Sequence, residues 1–164
     1  MARHRDDIAA LNHISAILID AERLYSRAAR MIEDDADALG RIERTIGERT
    51  LLLREFQQRV RDLRGKPQTD GSMLGVAHKA FFDVRTLFDR DLHAALAEVE
   101  RGEKYLRDEI RKSMRRGDLG AETRAFLGVA LDQIVSGEMR IEGKLEELEH
   151  MPPPQRPQQS EPRV

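Results

Sequence analysis

Residues 37–64 read DALGRIERTIGERTLLLREFQQRVRDLR, and their apolar members recur in alternating steps of three and four: Leu39, Ile42, Ile46, then Leu53, Phe56, Val60 and Leu63. At 3.6 residues per turn that spacing stacks side chains on one face of an α-helix. The stripe has one charged member, Arg49, in its middle. A surface charge does not fall on this spacing, so the stretch predicts a long helix that carries a cation into a core.

The same pattern recurs on either side. Leu92, Leu96, Val99, Leu106 and Ile110 form a stripe interrupted by Glu103, and Leu127, Leu131, Ile134, Ile141, Leu145 and Leu148 form one interrupted by Glu138. A looser stripe runs through Leu11, Ile14, Leu18, Ala21, Tyr25, Ala28 and Ile32, with Glu22 at its margin. Long helices are therefore predicted over 7–34, 37–64, 91–116 and 120–150, and a shorter one over 72–87. Aspartates stand where N-caps belong, and Arg61, Arg64, Arg111, Lys112, Arg115 and Arg116 close two helices as the helix dipole favours. Helices roughly 40 to 45 Å long can hide their stripes only against one another, which makes a four-helix bundle. Tight turns near Asp35 and Asp118 imply two antiparallel hairpins, and the roughly 25 residues between the second and third long helices suit a crossover along the bundle.

Composition agrees. The chain has 164 residues, 40% of them apolar and 35% charged, with two tyrosines, five phenylalanines and no tryptophan, which suits amphipathic helices better than a sheet. Five of the six prolines lie at 152, 153, 154, 157 and 162 among glutamines, so 1–150 reads as one domain and 151–164 as a disordered tail. A formal net charge of −2 with interspersed signs supplies no field for nucleic acid or an anionic membrane. Absence of cysteine excludes disulfides and thiolate chemistry. The start Met-Ala-Arg-His-Arg-Asp-Asp lacks a signal-peptide apolar run, so a cytoplasmic location is expected.

The charged breaks are expected to meet. Glu22 and Arg49 are about equally far from the turn near Asp35, whereas Glu103 and Glu138 differ by about one helical turn in distance from the turn near Asp118. A mid-height polar layer of Glu22, Glu48, Arg49, Glu103 and Glu138 follows. Three of its acids come after glycine, at Gly47-Glu48, Gly102-Glu103 and Gly137-Glu138. Mid-helix glycine costs roughly 1 kcal/mol against alanine, so close approach of neighbouring helices or a local bulge there is one reading and coincidence the other.

A di-iron carboxylate bundle takes one Glu from each of two helices and a Glu-x-x-His from each of the other two. This chain offers Glu22, Glu48-Arg49-Thr50-Leu51, Glu103 and Glu138-Met139-Arg140-Ile141, which resembles the ferritin-like pattern with Leu51 and Ile141 where the histidines belong. The run from Gly65-Lys66-Pro67 through Gly71-Ser72 and Gly75-x-x-His78-Lys79-x-Phe81-x-Asp83, followed by Glu100-Arg101-Gly102-Glu103, resembles a bacterial group of ferritin-like bundles forming a domain-of-unknown-function family. The resemblance implies a ferritin-like fold and homo-oligomers. It implies no established activity, and stress-associated roles attach to such bundles only by analogy.

Iron or manganese favours imidazole with carboxylate, and a di-metal centre needs roughly six ligand side chains. Two are missing, and Arg49 brings a cation into the seam, so a salt-bridged carboxylate–arginine layer is expected in place of a metal site; a carboxylate-only site at Glu22, Glu48, Glu103 and Glu138 is the alternative. His4, His13, His78, His93 and His150 form no H-x-x-x-H pair, Ser15, Ser26, Ser113 and Ser136 have no evident His and Asp partners, and no phosphate loop is present. His13, His93 and His150 read as solvated faces, and His78 as a packing or capping residue of the crossover. A non-catalytic structural or interaction bundle is therefore expected. Its alternative is an atypical metal-binding or oxidant-handling protein.

Overall fold

The computed structural model describes residues 2–71 and 92–151. The expected short helix over 72–87, with His78, and the tail from 152 onward lie outside the described residues. Four helices are present among them and no strand: α1 (Ala2–Met31), α2 (Ala36–Asp62), α3 (Leu92–Met114) and α4 (Ala121–Glu149). None is long and apolar enough to cross a membrane. α1 starts five residues before the expected boundary and ends three before it; the other ends fall within two residues of theirs.

The ends are set by local chemistry. Asp35 caps α2, its Oδ1 accepting from the Ala38 amide at 2.9 Å, which satisfies one of the free donors of the first turn. At the far end Arg64 adopts the left-handed conformation (φ 61°). The Arg64 amide then donates to Arg61 O and the Gly65 amide to Val60 O, both at 2.8 Å. This closes the last carbonyls of α2 in a Schellman arrangement, with arginine in the place glycine usually takes. The chain then lies back on α1: Asn12 Nδ2 donates to Lys66 O at 2.9 Å and Asn12 Oδ1 accepts from the Gln68 amide at 2.8 Å.

Each helix buries most of the stripe read from its sequence, with Leu39, Ile46, Leu63, Leu92, Leu131 and Leu148 only partly buried. Leu11, Ile14, Leu18 and Tyr25 of α1, Ile42, Phe56 and Val60 of α2, Leu96, Val99, Leu106 and Ile110 of α3, and Leu127, Ile134 and Ile141 of α4 are fully buried in one core. α1 packs on α2 and α3, and α4 packs on α3 and α2, so α1 and α4 stand at opposite corners. Lys144 of α4 lies 2.8 Å from Asp37 and 3.8 Å from Asp35, while His13 of α1 meets Glu109 of α3 at 2.7 Å.

Candidate functional site

The buried centre is built from three helices and admitted by a fourth. Arg49 of α2 and Glu103 of α3 have no exposed surface. Arg49 Nη2 donates to Glu103 Oε2 at 2.6 Å and to Gln133 O of α4 at 3.1 Å, and Arg49 Nε donates to Glu103 Oε1 at 3.0 Å and Oε2 at 3.2 Å. The Tyr25 hydroxyl of α1 donates to Glu103 Oε1 at 2.7 Å. Arg49 Nη1 is buried without a partner among the described residues.

Two of the three Gly-Glu steps exist to make this room. A Cβ on Gly137 would stand within 3 Å of both Arg49 Nη2 and Glu103 Oε2, and one on Gly102 would meet the Tyr25 ring at 2.7 Å. These are close approaches of a side chain to a helix, not of helix to helix. Gly47 is different: it is exposed and nothing lies within 4 Å of its Cβ position.

The remaining expected members take separate partners. Glu138 is 6% exposed and pairs with Arg107 at 2.5 Å. Arg107 sits four residues beyond Glu103 toward the α3–α4 turn, while Gly137, next to Glu138, faces the centre itself. Glu22 accepts from the Thr50 hydroxyl, joining α1 to α2 at the level of Arg49. Glu48 lies on the α2–α4 rim, held by Arg140 at 2.9 Å and Arg44 at 3.1 Å. Neighbouring residues on a helix point about 100° apart, so Arg49 inside requires Glu48 outside the seam. Leu51 follows Glu48 outward and is 59% exposed. The comparison of Glu48-x-x-Leu51 with Glu-x-x-His is thereby corrected: the inward pair at that spacing on α2 is Arg49 and Leu52, both buried. On α4, Glu138 and Ile141 do both face inward.

Sequence reasoning placed Tyr25 in the core but not its hydroxyl in the polar centre; a tyrosine within an apolar stripe is the signal, since a buried phenol needs a partner. It also missed three buried charges. Lys144 is 7% exposed between Asp35, Asp37 and Glu147, Glu98 is 6% exposed and bound to Arg101, and Asp7 is 5% exposed with its Oδ1 accepting from the Gly120 amide at 2.9 Å. His13 is half exposed but bound to Glu109, His93 lies 3.7 Å from Glu149, and Ser15 donates back to Leu11 O at 2.8 Å. The basic end of α3 is exposed, with Arg116 held by Asp118 at 2.7 Å.

Electrostatics follow from this burial. Burial above all, then the charge and hydrogen bond of Glu103, hold the Tyr25 hydroxyl protonated well above its ordinary pKa of 10.0, with only Arg49 pulling the other way. Burial disfavours the charged form of Arg49, but Glu103, with Tyr25 and Glu48 behind it, raises its pKa above the ordinary value. The guanidinium therefore stays charged.

A metal fits this centre poorly. Both Glu103 oxygens are engaged by three hydrogens, the Arg49 Nη2–H, the Arg49 Nε–H shared between Oε1 and Oε2, and the Tyr25 hydroxyl. A cation there would have to displace the guanidinium. No group of three or more His, Cys, Asp or Glu with metal-holding geometry occurs among the described residues. A groove of about 720 Å³ between α2 and α4 lies apart from the centre, with Glu55, Asp62 and Glu122 along it and the Arg59 guanidinium 4.1 Å above the Phe126 ring.

Among the described residues, fold and centre together define an all-helical, four-helix unit organised around a buried arginine–carboxylate–tyrosine network. Residues 6–116 match a domain of unknown function, DUF2383, and the chain belongs to that family. The matched stretch carries Tyr25, Arg49 and Glu103, while α4, whose Gly137 makes room for them, lies beyond it. No curated protein and no solved structure matches the chain.

Proposed function

We propose that this chain is a non-catalytic, ferritin-like bundle of a bacterial, cytoplasmic, stress-associated kind, acting as a rigid body for interaction rather than as a metal oxidase. On this reading residues 1–150 form the domain, an antiparallel bundle whose crossover carries an extra helix, and 151–164 form a flexible tether. The connectivity is supported by pairings along the molecule: Asn12 with Lys66 and Gln68, Glu22 with Thr50, His13 with Glu109, and Lys144 with Asp35 and Asp37. The observation that carries the function is the Glu103 carboxylate. In a metal-handling bundle its oxygens would face ions; here the Arg49 guanidinium and the Tyr25 hydroxyl engage both of them.

A guanidinium in that place neutralises the buried acid and fixes the register of three helices. Elemental analysis with an absorption spectrum, on protein purified without chelator from cells supplied with iron and manganese, tests the reading. The expected result is far less than one equivalent of either metal per chain. Stoichiometric metal that is lost on Glu103→Ala would overturn it.

A further inference from the structure

The two opposite corners of the molecule carry complementary rows of charge. Among the Arg, Lys, Asp and Glu side chains described on α1, every exposed one is arginine, and Arg23, Arg27 and Arg30 fall at i, i+4 and i+7 on one face near its C-terminal end. Every exposed charged side chain of α4 is acidic, and Glu142, Glu146 and Glu149 repeat the same spacing. Arg23 and Glu149 keep 67% and 62% of their side-chain surface exposed despite long contacts with Asp20 (3.9 Å) and His93 (3.7 Å). Arg27, Arg30, Glu142 and Glu146 are exposed, and the described ion pairs include none of them.

From these rows we infer that this face binds a second copy of the chain, the arginine row of α1 seating on the glutamate row of the partner's α4. The spacings match in parallel register, with steps of about 6 and 4.5 Å along both helices. Arg23 then faces the partner's Glu142, Arg27 the partner's Glu146, and Arg30 the partner's Glu149. Lys144 of α4 touches Asp35 in the turn after α1, and Asp7 of α1 meets Gly120 before α4, so α1 and α4 run parallel and this register needs a sideways displacement with a shift of about 9 Å along the axis, six residues at about 1.5 Å each. Because the rows lie at opposite corners, one copy cannot satisfy both with the same neighbour. The contact is head-to-tail and propagates. A net charge of −2 opposes it little. Exposed ion pairs are individually weak and screened by salt, so the association belongs to low ionic strength. This inference concerns the surface and is independent of what the buried centre does.

Sedimentation velocity of the full chain tests it. At roughly 20 mM salt, where screening extends over about 20 Å, the apparent mass should rise with concentration to twice the 18.8 kDa chain mass or more, and return to the monomer at about 0.5 M. Arg23→Glu/Arg27→Glu and Glu142→Arg/Glu146→Arg should each be monomeric at low salt with unchanged helical circular dichroism, and mixing them should restore association because each keeps the row the other has lost. A wild-type chain that stays monomeric at low salt overturns the inference, including one retained instead by a polyanion such as heparin. So does association that survives both reversals, or variants that fail to associate when mixed.

Discussion

Replacing each Gly-Glu glycine by alanine should give opposite signs along one chain. At Gly47, exposed and with open space at its Cβ position, alanine gains only backbone entropy and should stabilise the protein by about 0.5–1 kcal/mol. At Gly137 the same gain is opposed by a methyl group placed within 3 Å of the Arg49 guanidinium and the Glu103 carboxylate, neither of which has exposed surface into which to move. Overpacking of this kind costs about 1–3 kcal/mol, and displacing the guanidinium adds to it, so Gly137→Ala should be net destabilising by about 1–3 kcal/mol. Gly102→Ala, against the fully buried Tyr25 ring, should behave like Gly137→Ala. Urea unfolding followed by helical circular dichroism reads all three, and the Gly137→Ala cost should shrink in an Arg49→Met background, where the obstructing group is gone. A neutral or stabilising Gly137→Ala, or a Gly47→Ala that loses more than about 0.5 kcal/mol, would refute the steric account.

Three further outcomes follow from the same coordinates. With two tyrosines and no tryptophan, the phenolate absorbance of the folded protein should lag behind that of the unfolded chain as pH rises through 10. Burial raises the pKa of Tyr25 and Tyr105 above 10.0, so the stability each contributes is complete below pH 10 and is lost as pH rises through the folded value; Tyr25→Phe should reduce that alkaline loss. The Lys144 hydrogen bond chiefly lowers the Asp37 pKa from 3.8, so the contribution is present above that value and lost as pH falls through the lower folded one; the midpoint difference between wild type and Asp37→Asn should be largest near neutrality and shrink as pH falls below 3.8. Leu51→His should bind no iron or manganese by elemental analysis, because position 51 faces solvent.

How far the sequence carries depends on whether a feature is local. The apolar stripes predicted the long helices because helix periodicity is local, and Arg49 and Glu103 were legible as buried since each replaces one residue of a stripe. Glu48 was assigned to the layer from a motif that ignores the 100° between it and Arg49. The Tyr25 hydroxyl partner, the burial of Lys144 between two acids of the α1–α2 turn, and the bond from Gly120 to Asp7 each join residues more than 75 positions apart, and no periodicity encodes such pairings. The glycines divide for the same reason: nothing in their own helices distinguishes Gly47 from Gly137, only what the neighbouring helix places against them.

Denaturant unfolding of Arg49→Met beside the triple variant Tyr25→Phe/Arg49→Met/Glu103→Leu asks most directly whether the buried centre is a structural charge network. Arg49→Met leaves a fully buried carboxylate with the Tyr25 hydroxyl as its remaining donor, which should cost about 3–5 kcal/mol, a large part of the roughly 5–15 kcal/mol a domain has. The triple variant removes every polar member of the network and should return to within about 1 kcal/mol of wild type or exceed it. An Arg49→Met change within about 0.5 kcal/mol of wild type, or a triple variant at least as unstable as Arg49→Met alone, would contradict the account.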